Sequence, residues 1–159
     1  MRSNSSGPPV AAKSDQRRLN SHYRPIVNSV RETSAQSLFT SHSPYVLEEF
    51  APSEMHVLRR DGGKLSAMLA TYPPAVKPKA YKAEFRARFC EALLARYVLV
   101  VEGRTEFDAI PAAARRLNDL NPTEYKTLEA LGVAVIDAQT DAQVAPLGKF
   151  FRDLGKTVF

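Results

Sequence analysis

Glu102 and Glu106 are the residues whose type and spacing most directly suggest chemistry. Glu102 follows the unbroken apolar run Tyr97-Val98-Leu99-Val100-Val101, and Gly103 separates it from a helical pattern that carries Glu106 in its first turn. A β-rich run of that kind reads as a strand buried on both faces of a parallel sheet. Its carboxyl end is where ligands bind in open α/β sheets, because side chains there project into the crevice above the sheet. A carboxylate four residues on can point back to the same crevice, and two such groups near one point suit an oxygen-loving cation such as Mg²⁺. The structural alternative is that Glu106 complements the helix N-terminus, worth under about 1 kcal/mol, while Glu102 is a solvated strand end. Asp137, after a second β-like run from Val133 to Ile136, falls at the same crevice either as a further ligand or as another solvated strand-terminal acid. His42, in Ser41-His42-Ser43-Pro44, reads alone as a loop residue. A Ser/His hydrolase is excluded there, since no strand-to-helix elbow of the G-x-S-x-G type occurs.

The elements that must position these residues are legible in the pattern. Apolar positions Leu19, Tyr23, Ile26, Val27 and Val30 predict a short helix ending near Arg31, limited to its later part by Pro25. Gln36 to Thr40 reads as a short strand, followed by the His42 loop and a helical turn from Tyr45 to Phe50. Met55–Arg60 and Lys64–Ala67 flank Asp61-Gly62-Gly63, a hairpin turn sequence, because glycine accepts positive φ. Pro73, Pro74 and Pro78 prevent regular structure and mark a linker over 70–78. Tyr81, Phe85, Phe89, Leu93 and Tyr97 then recur every four residues, the stripe of an amphipathic helix. After the Glu102 strand, Thr105 is placed to cap the next helix with Asp108 as its capping-box partner, and Phe107, Ile110, Ala114 and Leu117 form its apolar stripe. The Gly132 turn leads to the second strand. Val144, Leu147, Phe151 and Leu154 define a further helix closed by Gly155, and Lys156 to Phe159 begins a third strand. Strand, helix, strand, helix, strand implies right-handed crossovers and a parallel sheet with helices packed on it.

Composition bounds the function classes. A chain of 159 residues holds one ordinary domain or two incomplete ones. One cysteine and three histidines without ligand spacing exclude structural zinc. No stretch reaches the roughly 20 apolar residues of a membrane span, and the first residues lack a signal-peptide core, so a cytoplasmic protein is expected. The net charge of +5 is concentrated early: residues 1–35 carry six Lys/Arg against Asp15 and Glu32, so the remainder is nearly neutral. Within that remainder, Lys77, Lys79, Lys82, Arg86, Arg88 and Arg96 form a basic element, read as a solvated helix face or a phosphate-facing surface.

The string YVLVVEGRTEFDAIPAAA, residues 97–114, resembles the opening strand-Glu-Gly-helix motif of a Toprim domain of the kind found in nucleases of the OLD (overcoming lysogenization defect) family. The resemblance implies that Glu102 is a metal ligand or general base, with Glu106 as companion ligand, and that Mg²⁺ or Mn²⁺ is the cofactor. Upstream, SLFTSHSPYVLEEFAPSEMHVLRR resembles the end of the ABC-type ATPase domain that precedes Toprim in that family, which makes His42 the switch residue near an ATP γ-phosphate. The expected fold is therefore α/β, a partial Toprim-like parallel sheet with flanking helices, preceded by the tail end of an ATPase domain. Its parts would be a disordered arm over 1–18, the ATPase remnant over 19–69, the linker over 70–78 and the incomplete Toprim-like domain over 79–159.

Departures from the family pattern shape the functional expectation. The sequence contains no G-x-x-x-x-G-K-[ST], so ATP is implied only for full-length relatives. The D-x-D that the Toprim pattern places at the end of its third strand does not occur, and half a ligand cluster binds metal weakly. The resulting expectation is a fragment of a metal-dependent DNA endonuclease, inactive alone, that acts on DNA and associates with itself or an intact relative. The alternative is a non-catalytic DNA- or protein-binding module derived from the same family. The third strand is expected to be central in the sheet, which would leave the first two with an unpaired edge.

Overall fold

The computed structural model describes residues 23–72 and 83–159. By compactness the chain divides into residues 1–49 and 50–159. The expected arm over 1–18, residues 73–78 of the expected linker and Tyr81 lie outside the described residues.

In the first unit, helix α1 covers residues 23–33, with Pro25 inside it, and Thr33 Oγ1 donates back to the Ser29 carbonyl at 2.8 Å. The strand expected over Gln36 to Thr40 does not form. The segment is irregular and Leu38 is 93% exposed, because an extended segment without a ladder partner or a buried face has nothing to hold it as a strand. Helix α2, Pro44–Leu47, follows, shorter than the expected turn to Phe50.

The second unit opens with a 3₁₀ turn, Pro52–Glu54, whose Glu54 Oε2 accepts from the Ala51 N–H at 2.6 Å. Strands β1, His56–Asp61, and β2, Lys64–Leu69, form the expected antiparallel hairpin, with Asp61 paired to Lys64. Gly62 and Gly63 both take positive φ, 53° and 83°, which a two-residue loop of this twist requires. Side chains of β2 and of α5 (Asp141–Asp153) border an open groove of about 600 Å³ lined by Met68, Leu69, Pro146 and Phe150; none of Glu102, Glu106 and Asp137 reaches it.

Helix α3, Ala83–Leu94, buries Phe85, Phe89 and Leu93 as the four-residue spacing predicts, whereas Tyr97 belongs to the next strand. Phe89 is the centre of an aromatic cluster: its ring lies 4.6 Å from Tyr72, 5.7 Å from Phe150 and 5.8 Å from Phe151. The rings of α3 and α5 thus meet on one face of the sheet. That sheet is wholly parallel, in the order β4-β3-β5, from β3 (Tyr97–Val101), β4 (Val133–Asp137) and β5 (Thr157–Val158). The expectation of a central third strand is corrected here. The chain leaves β4 and returns across to the other side of β3, so β3 is paired on both sides and β5 lies at an edge of the described sheet. Under the right-handed crossover rule, the two opposite excursions place the helix between β3 and β4 and the helix α5 on opposite faces.

Helix α4, Arg104–Leu120, also departs from expectation at its start. Gly103 is the N-cap, Phe107 N–H donates to Gly103 O at 3.2 Å, and Thr105 lies inside the first turn. No Thr105 capping box forms, and Asp108 instead pairs with Arg104 at 2.7 Å. Along the expected stripe Phe107 is buried, Ile110 and Ala114 are half-buried, and Leu117 is 43% exposed. Among the described residues no helix is long and apolar enough to cross a membrane.

Candidate functional site

The carboxyl ends of β3 and β4 lie side by side because the two strands run parallel and in register, with Val101 opposite Asp137 and the Ala138 N–H donating to Val101 O at 2.8 Å. Val98, Val100 and Val101 are buried and fix the strand, so the first residue past it, Glu102, emerges exposed at the rim. Gly103 is extended at φ −155°, a conformation open to any residue. What its missing side chain does is leave room. Glu106 Oε2 lies 3.7 Å from the point where a Cβ on Gly103 would sit, so the carboxylate is folded back over Gly103 toward the strand end. Glu102 and Glu106 therefore flank the same glycine, both exposed, as the spacing suggested.

Asp137 ends β4 at the same side of the sheet and is half-buried. Its Oδ1 accepts from the Gln139 N–H at 2.6 Å, which closes a tight turn and holds Gln139 in the left-handed region at φ 66°. One Asp137 oxygen is thus engaged by the backbone. Among the described residues, no three His, Cys, Asp or Glu side chains come together in a group able to hold a metal ion. The pair Glu102 and Glu106 offers hard oxygen donors. That donor set fits Mg²⁺, which commonly keeps several waters and takes only one or two protein carboxylates. His42 is exposed in the first unit, in the loop where Ser41 Oγ accepts from the Ser43 N–H at 3.0 Å.

Two arginines meet on the Phe107 ring, a contact with no signature in the sequence. The Arg104 guanidinium carbon lies 5.2 Å from the centre of the Phe107 ring, and that of Arg88, on α3, lies 5.3 Å from the same ring. Arg88 also donates to Glu91 Oε2 at 2.7 Å. Arg104 was locatable as the neighbour of Glu102-Gly103. Arg88 was not, because its contact with Phe107 joins two helices across the intervening strand. Farther along, the Arg115 guanidinium on Glu129 holds that carboxyl below its ordinary value. Burial lowers the pKa of Lys156, whose Nζ donates to the Ala95 carbonyl at 2.8 Å, at the end of α3.

Residues 93–159 match the family model of the overcoming lysogenization defect protein-like TOPRIM domain. The match spans β3, α4, β4, α5 and β5, the elements that bear Glu102, Glu106 and Asp137, and the α/β fold with its parallel sheet is that of a partial TOPRIM-like domain. TOPRIM domains generally bind divalent metals such as Mg²⁺. Curated proteins and solved structures give no match to the chain.

Proposed function

We propose that the second unit is the metal-binding half of a nuclease-type TOPRIM site that acts on the phosphodiester backbone of DNA. The observation that supports this reading is the Glu106 carboxylate turned back over Gly103, the residue that follows Glu102 at the carboxyl end of the central strand. Glu102 and Glu106 would hold one divalent cation. Such a cation supplies Lewis-acid polarisation of a phosphoryl oxygen and a more acidic bound water. Glu102, at the strand terminus, is the candidate general base. Asp137 contributes a third negative charge to the same sheet end, with one oxygen left for a water or a ligand after its turn bond. His42 belongs to a separate role in this reading, the γ-phosphate contact of an ATPase partner domain, for which this sequence carries no phosphate-binding loop.

A second reading, a binding module without catalysis, is favoured by one observation: the described residues assemble no third ligand around the pair. Titration with Mn²⁺ followed by electron paramagnetic resonance, paired with a plasmid-nicking assay, separates the two. The expected result is weak binding, about 0.1–1 mM or weaker, abolished in Glu102→Gln and reduced in Glu106→Gln, with no appreciable cleavage by the chain alone. Strong plasmid cleavage that disappears in Glu102→Gln would establish a complete catalytic set. Failure of the chain to bind Mn²⁺ at all would refute the metal-site reading.

A further inference from the structure

We propose that Arg88 is the positioning residue of the carboxylate pair: stacked on Phe107, it pins the first turn of α4 and so fixes Glu106 against Gly103 and Glu102. The proposal rests on the metal-site reading above and adds a residue from outside the strand-Glu-Gly-helix segment. The first turn of α4 needs such a pin. Its N-cap is a glycine that contributes no side-chain bond, and among the described residues Phe107 is the one buried side chain of the helix. Whatever holds Phe107 therefore holds the turn. Glu106 immediately precedes Phe107 in the chain, and the first hydrogen bond of the helix runs from Phe107 N–H to Gly103 O.

Two cations contact the ring, and they are not equivalent. Arg104 belongs to α4 itself and pairs with Asp108 on the same helix, so this contact with the ring stiffens the turn. Arg88 belongs to α3, whose Phe85, Phe89 and Leu93 are buried in the core, and Glu91 one turn on orients its guanidinium. The Arg88 contact thus ties α3 to the turn that carries Glu106. A cation over an aromatic ring at a partly exposed site contributes enough to change an opening equilibrium about two- to fivefold.

Electrostatics and positioning predict opposite signs, which makes the proposal testable. Removing one positive charge near two carboxylates tightens cation binding if charge is all that matters. Loss of the pin weakens it. The experiment compares Arg88→Met and Arg88→Lys in the full chain, by Mn²⁺ titration and by hydrogen exchange at the Phe107 amide. Arg88→Met is expected to weaken Mn²⁺ binding and to speed Phe107 exchange about two- to fivefold, and Arg88→Lys to restore both. In a Phe107→Leu background, Arg88→Met should add nothing further. Tighter Mn²⁺ binding in Arg88→Met, or Phe107 exchange unchanged by it, overturns the proposal. If the parent chain binds no Mn²⁺, the metal-site reading fails, and Phe107 exchange alone still decides whether Arg88 pins the turn.

Discussion

Gly155 offers the sharpest test of how the hairpin is joined to the sheet. It follows α5 as the left-handed residue of a Schellman cap, with φ 78°, Gly155 N–H donating to Arg152 O at 2.8 Å and Lys156 N–H donating to Phe151 O at 2.9 Å. A Cβ at this position would lie 2.1 Å from Nη1 of Arg59, 2.9 Å from Cζ and 3.0 Å from Cδ, so the β1 arginine lies directly against the backbone at the α5 terminus. Gly155→Ala therefore carries two costs. The left-handed backbone costs about 1–2 kcal/mol for a residue with a Cβ. The guanidinium must also swing off the helix end, and a cation at a helix C-terminus contributes about 0.3–1 kcal/mol. A total near 2 kcal/mol should lower the melting temperature by about 10 °C for a domain of this size. Urea unfolding of Gly155→Ala, alone and in an Arg59→Ala background, reads both parts: with Arg59 gone the penalty should fall to its backbone part. A penalty below about 0.5 kcal/mol, or one that does not change when Arg59 is removed, would refute the packing described here.

Two further outcomes follow from titratable groups. Burial lowers the Lys156 pKa from its ordinary 10.5, so the fold disfavours its charge, and stability should rise with pH between the lowered folded value and 10.5; Lys156→Met should abolish that rise in urea midpoints taken across alkaline pH. The Glu129 carboxyl lies below its ordinary 4.5 chiefly through its bond from Arg115, so its small contribution is present above 4.5 and lost as pH falls through the lowered folded value. Arg115→Met should bring the carbon-13 titration of the Glu129 carboxyl back up toward 4.5.

The sheet and its helices were legible because each rests on a local pattern. Five β-rich residues before Glu102, the Gly132 turn before Val133, and the apolar spacing closed by Gly155 each specify an element without reference to the rest of the chain. Three expectations failed where the outcome depended on distant partners or on competition between neighbours. Gln36 to Thr40 had strand-like composition but found no ladder. Thr105 had the right type for a cap, yet the helix is capped two residues sooner, at Gly103, and Asp108 pairs with Arg104. The third strand was expected at the centre and lies at an edge of the described sheet, because sequence periodicity carries no information on which side of β3 the chain returns. At the site the same division holds. Spacing placed Glu106 over Gly103, whereas neither the Gln139 bond that engages Asp137 nor the Arg88 contact on Phe107 has a local signature.

The carboxylate pair owes its position to more of the chain than the segment that resembles a TOPRIM opening. Residues 93–159 contain β3 and α4, but the support of α3 and α5 reaches outside them: Phe85 and Phe89 precede the match, and Tyr72 packs on Phe89 and Phe150. Arg86 donates to the Phe50 carbonyl at 2.7 Å, and Arg59 meets the end of α5. Burying a large aromatic such as Phe89 contributes about 3–5 kcal/mol as judged by truncation to alanine, a large part of a domain's whole stability of about 5–15 kcal/mol. The compact unit accordingly begins at Phe50 rather than at Leu93. The hairpin and α3 support the strand end that carries Glu102, and α3 both packs into the aromatic core and, through Arg88, reaches the Phe107 ring.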